Sequence, residues 1–247
     1  MASRSARTPS GKLLTLEQQV RDLERRPVRG ARPTGGTSAR RDEYWGIPAT
    51  LAEQVELANR RPLWFDIDGG YELSYYAPAG APGLTAPGLV AGAPAGWYPT
   101  SRGPWWVSHP SAAVAASPAT YVTGWNSVRT SPGGADAFFW NGTVGGVNLA
   151  GYYNVDVRMC LQNGSGTANF HFRHLGNNSS VVRANVDGGA APLITNFATT
   201  YRTSYRRCLA MPADSWAVQT NSGSLTVHSH GNIRSEFLIE YVGPPLA

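Results

Sequence analysis

The chain has 247 residues, 15% of them charged, with 28 Gly, 18 Pro, 8 Trp and 11 Tyr and a formal net charge of +5. That length suits one or two domains, and few charges with many turn-formers and aromatics favour β structure and loops over a helical bundle. No apolar run approaches the ~18 residues of a spanning helix, and the polar, basic start has no apolar core of a secretion signal, so neither membrane insertion nor export is expected.

The charge is unevenly placed. Residues 1–41 hold ten Lys/Arg against Glu17, Asp22 and Glu24, while the rest of the chain is slightly acidic. The basicity therefore belongs to an N-terminal arm, which suits docking on an acidic socket; nucleic acid is not the expected partner. Within the arm, Leu13, Leu16, Val20 and Leu23 follow the a/d spacing of two heptads, with Glu17 and Glu24 at e and Lys12 and Arg26 at g. Thr15 and Gln18 form a candidate capping box and Pro27 ends the helix, which gives a short oligomerising coiled-coil stem. Arg29 to Arg41 reads as a flexible basic linker.

Residues 42–116 form a second region. Thr50 and Glu53 predict a capped helix over Leu51 to Arg60, closed by Pro62. An irregular, aromatic, Gly/Pro-rich stretch follows, including Ala77 to Gly96 and the pairs Trp97–Tyr98 and Trp105–Trp106. Its length without a periodic signal predicts an extended strap laid over neighbouring subunits, with the aromatics as anchors.

From Ser117 to Ala247 the pattern is that of strands. Gly151 to Leu161 alternates, with Tyr153, Val155 and Val157 on one face and Asn154, Asp156 and Arg158 on the other. Further strands are expected at 121–129, 135–144, 168–175, 180–186, 201–210, 216–220, 224–230 and 236–242, separated by turns such as Asn163–Gly166, Asn177–Ser180 and Asn221–Ser224. The fold class is thus mainly β, with a C-terminal antiparallel jelly-roll sandwich whose core takes Tyr153, Val155, Val157, Phe237, Ile239 and Tyr241. Cys160 and Cys208 are expected as half-buried thiols, a single bridge between them being the alternative.

The order GYYNVDVRMCL, then YRRCLAMPADSWAVQTNSGSLTVHSHGNIRSEFLIEYVG, resembles complement-type and tumour-necrosis-factor-like jelly rolls, with Ala213–Asp214 where that family has a Gly-Asp turn. RDEYWGIPATLAEQVELANRRPLW and GLVAGAPAGWYP are similar to minor tail proteins of bacteriophages that infect actinobacteria. Together these resemblances imply a homotrimeric virion structural protein, assembled in the host cytoplasm, with other tail proteins as partners and host envelope glycans as a ligand class. A head-decorating fibre and a glycan- or cell-wall-degrading tail enzyme are the alternatives.

Motifs for hydrolase, nucleotide, zinc and calcium chemistry are missing, so no catalytic residue and no cofactor is expected. Asp66 and Asp68 in FDIDGG read as turn chemistry. His228 and His230 share one face of a strand and are the one candidate metal pair, requiring several chains around an axis; two exposed histidines without a metal are the simpler reading. His171 and His174 fall on opposite faces of their strand. Asn163, Asn177, Asn178 and Asn221 mark candidate recognition loops, since binding groups concentrate on loops held by a rigid scaffold. Trp105, Trp106, Trp125, Trp140 and Trp216 could stack on sugars, though buried aromatics are commoner.

Overall fold

A computed structural model describes residues 35–247 without 101–102, 118, 177–180, 192–198 and 231–232, and gives the backbone alone at 116, 127, 161–170, 181–191, 199–203, 221–225, 228–230 and 233–234. Leu13, Leu16, Val20 and Leu23, and with them the expected stem, lie outside the described residues, as do Asn177 and Asn178. The described chain opens with strand β1 (Gly35–Gly36) and helices α1 (Ser38–Trp45) and α2 (Leu51–Asn59). In α2 the expected capping box is formed: Thr50 Oγ1 accepts from Glu53 N at 3.3 Å, and Glu53 Oε2 accepts from Thr50 N at 3.0 Å and Ala49 N at 2.8 Å. These backbone donors lower the Glu53 pKa by stabilising its charged form.

Helix α1 begins in the last four residues of the expected linker, Ser38 to Arg41, and runs on to Trp45. Thr37 caps it by accepting from Arg40 N at 3.4 Å, and Arg41 lies over the Trp97 ring at 5.1 Å while pairing with Asp42 at 2.8 Å. The cap and the ring supply what its polar sequence lacks, an apolar face of its own.

Strands β2 (Leu63–Asp66), β3 (Tyr71–Tyr76) and β4 (Gly96–Pro99) follow, giving a small sheet of order β1-β2-β3-β4. Asp66 Oδ1 accepts from Asp68 N at 3.1 Å at the β2–β3 turn, which is the turn role expected of this carboxylate pair. That turn rests on Gly133, φ +62°, where a Cβ would come within 2.9 Å of Gly69 Cα.

The 77–95 segment is held against its own chain. Asn59 Oδ1 accepts from Thr85 N at 2.8 Å and Ala86 N at 3.2 Å, and Asn59 Nδ2 donates to Gly83 O at 2.8 Å. Val90 N donates to Pro245 O at 2.8 Å and Ala247 N to Gly88 O at 3.0 Å, so the C-terminal tail holds the segment from the other side. Leu89, fully buried, packs with Ala93, Tyr98, Ala150 and Leu246. An irregular segment is stable here because side chains and the tail satisfy its backbone groups.

The remaining strands are β5 (Trp105–Pro110), β6 (Val114–Ala116), β7 (Trp125–Thr130), β8 (Phe138–Trp140), β9 (Gly145–Val147), β10 (Gly151–Gly176), β11 (Val181–Ala191), β12 (Thr199–Ala210), β13 (Ser215–His230), β14 (Ile233–Arg234) and β15 (Glu236–Gly243). The long strand β10 organises them. Its first half lies between β12 and β15, with Val157 opposite both Thr203 and Phe237; its second half lies between β11 and β13, with Phe172 opposite both Asp187 and Val218. One sheet is therefore β7-β5-β15-β10-β12 and the other β8-β9-β13-β10-β11, joined through β10. Every pairing in them is antiparallel, and β11, β12, β13 and β15 alternate between the two sheets, with the two-residue β14 paired to β13 on the way, which is a jelly roll.

The core expectation holds: Tyr153, Val155, Val157, Phe237, Ile239 and Tyr241 are all 0% exposed. Edge-to-face ring pairs lock the interior, Trp106–Phe237 at 5.3 Å and Tyr153–Tyr241 at 5.4 Å. Cys160 and Cys208 are free thiols, fully buried where half-burial was expected.

Three differences from the sequence reading matter. β5 and β6 precede Ser117 yet hydrogen-bond to β15 and β13, so the jelly roll takes in residues of the expected strap. The expected 135–144 strand is a 3-10 turn followed by β8, because Asn141 Oδ1 accepts from Thr143 N at 3.0 Å and Val144 N at 3.1 Å and turns the chain at Gly142. Finally, Asn163–Gly166 and Asn221–Ser224 are not separate hairpin turns. They lie within β10 and β13 and pair with each other, Asn163 opposite Leu225 and Ser165 opposite Ser224, with register shifts on both sides of Ser165. Each polar stretch supplies the other's backbone partners, which removes the need to turn.

Candidate functional site

Asn163 is therefore placed on β10 opposite Leu225, and Asn221 lies within β13 at a register shift of that ladder; the side chains of both are outside the described residues. His228 stands opposite Cys160 and His230 opposite Ile233, again as backbone only. Among the described residues no three His, Cys, Asp or Glu side chains gather as a metal would need. No helix among them is long and apolar enough to cross a membrane.

His174 and Asp214 do come together. Nε2 lies 3.5 Å from Asp214 Oδ2, and the imidazole stacks on Trp216 at 5.0 Å and 14°. The side chains are only 6% and 2% exposed, so the pair reaches no substrate; it braces the β12–β13 turn. There Asp214 Oδ2 accepts from Met211 N at 2.9 Å, while Ala213 takes φ +74°. The departure from the resembled Gly-Asp turn thus falls at a backbone geometry that suits glycine. Burial pushes the Cys208 thiol up to about 12, away from any nucleophilic role near neutral pH.

Of the five tryptophans singled out, Trp106, Trp125 and Trp216 are core residues, while Trp105 and Trp140 are 36% and 45% exposed. Near α2 a shallow cleft of about 270 Å³ is lined by Trp45, Ile47, Glu53, Leu57 and Arg60. Arg60 there is paired with Glu56.

The most developed surface feature was missed in the sequence. On the outer face of β10 and β12 the register slips: Tyr153 faces Cys208 and Val155 faces Tyr205, so Arg206 and Arg207 together oppose Asn154. This is a bulge, and Arg207 takes φ +51°, which costs a non-glycine residue about 1–2 kcal/mol. Asn154 Oδ1 holds it by accepting from Arg207 N at 3.1 Å. The Arg207 guanidinium lies 5.5 Å from the centre of the Tyr152 ring, and Leu209, 38% exposed, stands opposite Tyr152 in the ladder. Next to it, Arg206 Nη2 donates to Asp156 Oδ1 at 3.1 Å, and the Ser204 hydroxyl donates to the same oxygen. The one signal in the sequence was negative: Arg206–Arg207 interrupts the alternation of TTYRTSYRRCLA.

No family model matches the chain, and no curated protein does. Among solved structures it is similar to Eiger TNF from S. frugiperda, at 10% identity and a TM-score of 0.46 over 58% of this chain and 94% of that one. It is also similar to murine APRIL at pH 5.0, at 11% identity and a TM-score of 0.40 over 56% and 98%. The strand pairing alone identifies the jelly roll, and likenesses at this level say nothing of what the chain binds.

Proposed function

We propose that the chain is a non-enzymatic bacteriophage structural protein, a minor tail or tail-tip fibre protein that forms a homotrimer. Its N-terminal arm anchors it to the virion and its jelly roll meets the host cell surface. The observation that carries this reading is a shared boundary: the chain divides between Thr34 and Gly35, and the heptads and most of the arm's positive charge lie before it. Heptads and clustered arginines suit assembly and docking, whereas a rigid β sandwich suits recognition.

Immunogold microscopy tests the assignment. Antibodies raised against the purified chain are expected to label the tail tips of virions whose genome encodes it, and to block adsorption to host cells. Label on capsids would make it a head fibre, and unlabelled virions would overturn the structural role. Release of reducing ends from host envelope glycans by the purified chain would restore the enzyme alternative.

A further inference from the structure

We propose that Arg207 is the anion-binding element of a recognition site on the outer face of β10 and β12, and that it takes the carboxylate of an acidic glycan. This rests on the reading of the jelly roll as the host-facing end.

Three observations converge. Arg207 sits at φ +51°, where glycine would be free of strain, so its side chain is kept against a backbone preference. The backbone is fixed by Asn154, and the guanidinium is laid over Tyr152. A guanidinium on a ring keeps the N–H donors along its edge free, and that planar fork matches a carboxylate bidentately. Its neighbour Arg206 is already neutralised by Asp156, whereas among the described residues no carboxylate pairs with Arg207. Leu209 beside Tyr152 adds an apolar flank on which the carbon face of a sugar ring can lie.

A bulge with arginines on an edge strand also discourages sheet-to-sheet aggregation, and that role predicts no ligand. The two are separated with the full chain, since the basic arm adds a constant background that a site-resolved readout removes. Galacturonate oligosaccharide, monomeric galacturonate or an uncharged galactose oligosaccharide is added before brief phenylglyoxal treatment, and modification is read arginine by arginine by peptide mass spectrometry. The acidic oligosaccharide is expected to slow modification of Arg207 at least about fivefold, the neutral one to leave it unchanged, and the monomer to protect only at higher concentration. In parallel, Arg207→Gly is expected to melt no lower than the parent chain and to rise by as much as about 2–4 °C, while oligosaccharide binding weakens at least about tenfold. Arg207→Lys, which keeps the charge and loses the fork, is expected to recover only part of the binding.

Equal modification of Arg207 with and without the acids, equal protection by the neutral sugar, or full binding by Arg207→Gly would overturn the site. Equal protection by monomer and oligomer would reduce it to a carboxylate site and overturn its assignment to a glycan. Any of these leaves tail-tip labelling untouched; unlabelled virions with Arg207 still protected would instead sink the virion reading and keep the site.

Discussion

Ala213 and Arg207 both hold left-handed backbone, at φ +74° and +51°, but in different company. The turn at Ala213 is already held through Asp214, whose Oδ2 accepts from Met211 N. Ala213→Gly should therefore stabilise the protein by about 1 kcal/mol, read as a rise of about 2–4 °C in melting temperature. Buried acids give a second expectation at this scale. Burial raises Cys208 from an ordinary value near 9.0 to about 12, and Tyr98 from 10.0 to about 12. Above pH ~9 the unfolded chain loses these protons while the folded chain keeps them, so the native state binds more protons and stability falls as pH rises. Denaturant midpoints should be level up to about pH 8.5 and decline from pH 9 towards 12; a midpoint that rises over that range would contradict the burial of these groups.

At the scale of elements, β10 sets the register of both sheets through alternation that places Val157 against Phe237 in the core. Val157→Asp should abolish cooperative unfolding, because an unpaired buried carboxylate costs several kcal/mol, comparable to the stability of a whole domain. An unchanged melting curve would mean that the register is shifted by one residue. Asn59 is the corresponding residue of the 77–95 segment: Asn59→Ala should cost about 1–2 kcal/mol and open the segment to proteolysis near Gly83 and Thr85 while the core stays folded.

These elements also show what could be read in advance. Local chemistry was legible: the Thr50–Glu53 box, the Asp66–Asp68 turn and the inward face of β10 and β15 each follow from residues a few positions apart. Nonlocal partnership was not. β5 looks like loop because Pro104 and Pro110 bracket it, yet β15 supplies its ladder; the start of α1 looks like linker because its ring partner, Trp97, is distant in sequence. The Arg207 site was hidden for a related reason, since a bulge reads locally as no more than a break in alternation, and Asn154 and Tyr152, which give it meaning, come from another strand.

For the whole molecule, the central claim is that an N-terminal heptad stem gathers jelly-roll bodies into a trimer. The a and d positions Leu13, Leu16, Val20 and Leu23 are the only ones of that pattern in the chain, so a charge among them should act on assembly and leave the β core intact. Sedimentation equilibrium of the full chain at micromolar concentration, beside Leu16→Asp with its circular dichroism unchanged in the β region, reads this directly. The account predicts three times the chain mass for the parent and a shift towards single copies for Leu16→Asp; a monomeric parent, or a trimer indifferent to Leu16→Asp, would contradict it.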